Sequence, residues 1–60
     1  MTDILPKDPM MLLSVINMKL RDFYRDIDEM CDDMNVSRAE IEEKLAKAGF
    51  IYDKSTNQFR

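Results

Sequence analysis

The sequence has no histidine and no tryptophan, and only one cysteine and one glycine, in 60 residues. A single cysteine cannot form an internal disulfide, and without histidine the common zinc sites of cysteine and histidine are excluded. The side chain that most often transfers protons near neutral pH is also missing. We therefore expect no enzyme, no cofactor and no metal, and a fold held by helix packing, self-association or both.

Long apolar runs are missing as well. The longest extends from Met10 to Leu13, far short of the roughly 18 residues that a membrane span needs. No basic segment followed by an apolar stretch marks a signal peptide. With 45% hydrophobic and 35% charged residues, the chain resembles a soluble globular domain. We expect one cytoplasmic domain over residues 1–60, with its thiol reduced and no membrane association.

The first part of the chain predicts an extended arm and a helix. Residues 1–8 form the arm, because a proline at position 6 disfavours helix in the residue before it. Asp8 and Pro9 are typical of a helix start, so helix 1 is predicted over residues 9–22. Its predicted core face consists of Leu12, Ile16, Leu20 and Phe23, with Leu13 and Tyr24 beside them.

Two further helices are predicted from their capping residues. Asp26 precedes helix 2, over residues 27–34, with Glu29 at the third position reaching back as in a capping box. Ser37 precedes helix 3, which is predicted over residues 38–48 and is followed by Gly49 as the capping residue after its C-terminus. The inward positions are Ile27, Met30, Cys31 and Met34 in helix 2, and Ile41, Leu45 and Ala48 in helix 3.

The C-terminal residues 50–60 predict a small β-hairpin. An alternating strand begins at Phe50, a turn spans Lys54–Asn57, and Gln58–Arg60 returns. Asn57 can adopt the positive φ that such a turn requires.

Residues 29–50 have the spacing of a helix-turn-helix. Asn35 replaces the usual turn glycine, and Cys31 is the small residue four positions before it. Ile41 and Leu45 follow at six and ten positions after the turn. The predicted fold is therefore mainly α: a three-helix core with a helix-turn-helix, winged-helix-like, and a small C-terminal β-hairpin.

Charge argues against DNA binding by helix 3. Between residues 26 and 43 there are eight carboxylates and one base, a local charge of −7, whereas the rest of the chain carries +4. Because contacts from Lys and Arg to phosphate supply most of the affinity for DNA, the favoured function is a non-catalytic protein-interaction module. The less favoured alternative is a small DNA-binding or regulatory protein that uses basic residues outside this acidic segment.

Met11, Val15 and Met18 form a second apolar stripe on helix 1, separate from the core face. An uncovered stripe on a small protein usually contacts something. Two candidates are the Ile4–Leu5 arm folded back and the same stripe of a second chain. The stripe predicts a protein partner, with a weak homodimer favoured.

Other polar and reactive residues are interpreted as structural. Cys31 is a packed small residue and not a redox or metal-binding thiol. Asn17 is expected to hydrogen-bond a nearby backbone group and not to anchor a ligand. A solvated surface, and not a cation site, is expected for the carboxylates Asp28, Glu29, Asp32 and Asp33.

Three segments are distinctive together: Leu5–Pro9, Asn17–Asp22 and Asn57–Phe59. They resemble a known family of short bacterial proteins, the domain of unknown function 4250, and the resemblance extends over nearly the whole chain. It implies a stand-alone bacterial protein of about this length and supplies no activity, substrate or cofactor. If the family shares one site, the matching positions are Asn17, Lys19, Arg21 and Asp22.

Overall fold

The computed structural model describes residues 5–60. Residues 1–4 of the predicted arm, including Ile4, lie outside the described residues. The elements in chain order are α1 (Pro9–Asp22), α2 (Ile27–Met34), α3 (Arg38–Lys47), β1 (Tyr52–Asp53) and β2 (Gln58–Phe59). A mainly helical chain of three helices ending in a two-stranded antiparallel hairpin is therefore confirmed. The winged-helix-like arrangement stays a prediction.

Each helix begins at its predicted cap. The side chains of Asp8, Asp26 and Ser37 each accept a hydrogen bond from the backbone N–H three residues on, which satisfies a donor that the first helical turn leaves free. Glu29 does reach back, but its carboxylate accepts from the backbone N–H of Arg25, at 2.7 Å, one residue before the cap.

Left-handed residues end α2 and α3. Asn35 has φ 57° and Gly49 has φ 92°, so the predicted positive φ of Asn35 is confirmed. After each of them, a backbone N–H donates to the carbonyl five residues earlier, as in a Schellman motif. These bonds join Val36 to Cys31 at 3.0 Å and Phe50 to Leu45 at 2.9 Å. The predicted end of helix 3 at residue 48 is one residue late, since α3 ends at Lys47.

The core lies between the three helices and β2. Its buried residues are Leu12, Ile16, Leu20, Ile27, Met30, Cys31, Ile41, Leu45 and Phe59. Two predicted core positions are wrong. Phe23 is 68% exposed because the backbone leaves the helical conformation there, at φ −124°, and Ala48 is exposed because α3 has already ended.

The hairpin completes the core from one side. Tyr52 pairs with Phe59 and Asp53 with Gln58, and Asn57 has the predicted positive φ, 57°. The Phe59 side chain is only 3% exposed, and its ring centroid lies 5.4 Å from that of Tyr52. The hairpin thus contributes a core residue that helical periodicity could not identify.

Candidate functional site

Asn17, the first family-motif candidate, fastens the hairpin to α1. Its Nδ2 donates to the backbone carbonyl of Phe59 at 3.1 Å, and its Oδ1 accepts from the backbone N–H of Phe59 at 2.8 Å. The amide side chain therefore completes both backbone hydrogen bonds of one β2 residue. The predicted hydrogen bond to backbone is confirmed, but its partner is 42 residues away in sequence and not nearby.

The hairpin returns hydrogen bonds to the same helix. Asn57 Nδ2 donates to the carbonyl oxygens of Leu20, at 2.9 Å, and Tyr24, at 3.1 Å. Gln58 Nε2 donates to the carbonyl oxygen of Asn17 at 3.1 Å. Leu20 lies in the last turn of α1, where backbone carbonyls lack partners within the helix, and Tyr24 lies two residues beyond its end. We call Asn17, Asn57 and Gln58 the amide clasp.

Asn57 is held in place from the other strand. Its Oδ1 accepts from the Tyr52 hydroxyl at 2.6 Å. The amide oxygen and the Nδ2 group of Asn17 and of Asn57 are thus each hydrogen-bonded to a protein group. An amide engaged in this way has a structural use, so the part of the family motif at residues 17 and 57–59 holds the fold together.

The remaining motif candidates do not gather into one site with Asn17. Arg21 donates from Nε and Nη2 to the two carboxylate oxygens of Asp22, each at 2.9 Å. This hydrogen-bonded pair lowers the pKa of Asp22 and raises that of Arg21. Lys19 is two positions from Asn17, about 200° around the helix. The structure brings together only Arg21 and Asp22, on the exposed surface.

The stripe of Met11, Val15 and Met18 lies away from the core. Met11 is 60% and Met18 is 37% exposed, and Val15 is half-buried. Met18 is two positions from both Ile16 and Leu20, about 200° around the helix from these buried residues. We call these three residues the outer stripe, which is an apolar surface that the described core does not use.

Cys31 is 7% exposed and packs in the core. Burial raises the pKa of its thiol, which disfavours the thiolate that redox and metal chemistry require. Within residues 5–60, no group of three or more carboxylate or cysteine side chains is arranged to hold a metal ion.

Arg38 is the centre of the charged side chains between α2 and α3. Its Nη1 donates to Asp28 Oδ1 at 2.7 Å, and its Nε donates to Glu42 Oε2 at 3.0 Å. Its guanidinium carbon lies 5.8 Å from the centre of the Tyr52 ring. Hydrogen bonds to the two carboxylates raise the pKa of Arg38. The single base of residues 26–43 is therefore already neutralised by its neighbours.

A groove lies between α3 and the hairpin. Its volume is about 300 Å³, and its lining residues are Arg38, Glu42, Ala46, Phe50, Ile51, Tyr52 and Phe59. The sequence indicated the two elements but not the groove, because the groove depends on where the hairpin lies relative to α3 once it packs against α1. Ile51, in the lining, is apolar and 64% exposed.

Comparison with known proteins agrees with these motifs. The profile of the family described as a domain of unknown function (DUF4250) matches residues 6–59, nearly the whole chain. The chain belongs to the DUF4250 family. The resemblance expected from the three sequence segments is therefore confirmed, and the amide clasp falls within the matched part of this DUF4250 protein. No curated protein and no solved structure matches the chain.

Over residues 5–60, no helix of this DUF4250 protein has the length and apolar character to cross a bilayer.

Proposed function

We propose that this protein is a non-catalytic, cytoplasmic protein-interaction module that binds a second copy of itself through the outer stripe. The observation that carries the proposal is an apolar surface on α1 that lies outside its buried face. Met11 is 60% exposed there, although Leu12, Ile16 and Leu20 already supply the core face. An unused apolar stripe on a domain of this size is typical of a contact surface.

The spacing of the stripe suits two antiparallel copies of α1. Met11 and Met18 lie seven positions apart on α1, with Val15 between them. An antiparallel pairing sets Met11 of each chain opposite Met18 of the other. Such a contact is self-complementary about a two-fold axis, which is the commonest symmetry of dimers.

A helix-turn-helix scaffold for this module is supported by the short connection between α2 and α3. Only residues 35–37 join the two helices, and Asn35 is left-handed there. Cys31, the small residue expected where the helices cross, is buried.

The experiment introduces a charge into the outer stripe. Val15→Glu and Met18→Glu are compared with Ala39→Glu, which adds the same charge at an exposed position of α3. Sedimentation velocity is measured for each variant, and circular dichroism monitors folding. We expect both stripe variants to be folded monomers and Ala39→Glu to associate like the unmodified protein. Association that persists in both stripe variants would contradict the proposal.

The alternative, a DNA-binding protein, is favoured by one observation: eight of the nine bases lie outside residues 26–43. Against it, Arg38 already donates to Asp28 and Glu42, and residues 26–43 carry a charge of −7, which repels a polyanion. Titration of a labelled DNA duplex at low salt separates the two functions. Binding that weakens steeply with added salt would favour the DNA function, and no binding would remove it.

A further inference from the structure

The methionines of this chain divide between the surface and the core. Met10, Met11 and Met18 are exposed on α1, whereas Met30 is fully buried in α2 and Met34 packs, partly buried, against the core. A thioether differs from an aliphatic side chain of similar size because its sulfur can be oxidised. The exposed methionines therefore give the surface of α1 a reactivity that the aliphatic side chains of its buried face lack.

Two of the exposed methionines belong to the outer stripe and one does not. Met11 and Met18 are the first and last residues of the stripe, with Val15 between them. Met10 is one position from Met11, about 100° around the helix, so its side chain is exposed beside the stripe. An oxidant in solution has access to all three side chains, but only Met11 and Met18 lie on the surface proposed to bind a second copy.

Cys31, which also carries an oxidisable sulfur, is shielded from the same oxidant. Its side chain is buried, and burial raises the pKa of the thiol, so little of the reactive thiolate forms at neutral pH. Oxidation by a peroxide is therefore directed to the exposed thioethers in the part of the chain that the structure describes.

We propose that Met11 and Met18 are a modification site, at which a peroxide converts both thioethers to sulfoxides and so releases the second copy from the outer stripe. A sulfur lone pair attacks one oxygen of hydrogen peroxide and the O–O bond breaks. The second oxygen leaves as water and takes both protons, while the sulfur gives two electrons to the peroxide. The inference rests on the proposed self-association through the outer stripe.

The sulfoxides oppose association without disturbing the core. Oxidation changes an apolar methionine side chain into a polar one. Between two apolar stripes the new oxygen would lack a hydrogen-bond donor, and burying a polar group without one is unfavourable. In the single chain the same oxygen is hydrated, because Met11 and Met18 are exposed, and the buried Met30 keeps its thioether.

Association and oxidation should oppose each other in both directions, because coupling between two equilibria at one surface is reciprocal. A second copy that covers the stripe shields Met11 and Met18 but not Met10. The rate of sulfoxide formation at the stripe, relative to that at Met10, should therefore fall as the protein concentration rises.

The experiment treats the full chain with hydrogen peroxide, and peptide mapping by mass spectrometry measures the sulfoxide at each methionine. At low protein concentration we expect Met11 and Met18 to react at least about tenfold faster than Met30, which requires opening of the core. Sedimentation velocity of the oxidised protein should show association weakened at least about tenfold, with an unchanged circular dichroism spectrum.

Two double variants separate the stripe from the rest of the chain. Met11→Leu with Met18→Leu keeps the stripe apolar and retains Met10, so this variant should associate equally before and after peroxide. Met11→Gln with Met18→Gln makes the stripe polar without any oxidant. Both positions are exposed and glutamine favours a helix, so we expect this variant to be a folded monomer.

Several results would overturn the inference. Oxidation of Met30 as fast as Met11 would remove the modification site, whatever the state of association. Undiminished association of the protein with both sulfoxides would show that oxidation does not release the second copy. Loss of association in the leucine variant after peroxide would place the effect outside the stripe. A chain that is monomeric both before and after peroxide would instead contradict the proposed function itself, and the control of association with it.

Discussion

Asparagine residues carry three structural tasks in this chain. Asn35 and Asn57 both adopt φ 57°, a conformation that asparagine tolerates better than most residues. Asn57 also accepts from Tyr52 and donates into the end of α1. Asn17 remains helical and instead pairs with the backbone of Phe59. Asparagine thus contributes to this fold both through its left-handed backbone conformation and through the hydrogen bonds of its side-chain amide.

Asn17→Ala tests the amide clasp. The substitution leaves the Phe59 N–H and carbonyl without their part-buried partner, and each unsatisfied group costs about 1–3 kcal/mol. We expect the free energy of unfolding in urea to fall by at least that amount. Ser14→Ala, at an exposed position of α1, is the control and should change stability by less than about 0.5 kcal/mol. Equal effects of the two substitutions would show that the clasp does not stabilise the fold.

Cys31 gives a second prediction at the scale of the residue. Cys31→Ala should fold, whereas Cys31→Leu should lose about 1–3 kcal/mol by overpacking the core. Burial raises the pKa of the thiol, so little thiolate forms at neutral pH and a bulky disulfide reagent should label the native protein slowly. The urea-unfolded chain is the control. Rapid labelling of the native thiol, at the rate of the unfolded chain, would contradict the buried position.

At the scale of the elements, local signals identified the helices correctly. Asp8, Asp26 and Ser37 each cap a helix as predicted, because a cap depends on residues three positions apart. The prediction for Phe23 was wrong because the helical period was extended one residue beyond the point where α1 ends. Helix starts have their own side-chain signals, whereas the end of α1 carries no glycine or asparagine.

Contacts between distant elements could not be predicted from the pattern. Phe59 joins the core and Asn17 pairs with it across 42 residues, but neither position carries a local mark of its partner. The groove beside Ile51 likewise exists only after the hairpin has packed against α1 and so lies beside α3. The sequence could therefore indicate the outer stripe, which lies on one helix, but not the groove, which needs two elements.

The segment after α1 is joined to α2 by a hydrogen bond whose contribution to stability should depend on pH. The Tyr24 hydroxyl donates to Asp33 Oδ2 at 2.7 Å, and this bond raises the pKa of Tyr24. Since the folded protein holds the proton more tightly, the contribution to stability is complete below the unfolded pKa of about 10. It is lost as pH rises through the folded pKa.

Tyr24→Phe provides the measurement. The difference in unfolding free energy between the unmodified protein and Tyr24→Phe should be constant at neutral pH and should shrink above about pH 10. Ser14→Ala, which changes an exposed side chain without an ionisable group, controls for the general effect of alkaline pH. A difference that grows with rising pH would contradict the assigned proton donor.

At the scale of the whole molecule, nine buried residues among residues 5–60 form the core, and amide hydrogen bonds attach the hairpin to it. A domain of this size buries little apolar surface, so its stability is small. Charge is strongly segregated, with −7 between residues 26 and 43 and +4 elsewhere. The stability of such a molecule should increase when a second copy covers the outer stripe, since binding to the folded state alone favours folding.

Self-association through the outer stripe is the central claim, and the mass in solution tests it most directly. Sedimentation equilibrium of the unmodified protein should be measured from micromolar to millimolar concentration. We predict an average mass that rises with concentration from 7.1 kDa toward twice that value, with Val15→Glu remaining at the mass of one chain. A mass that stays at 7.1 kDa up to millimolar concentration would contradict the claim.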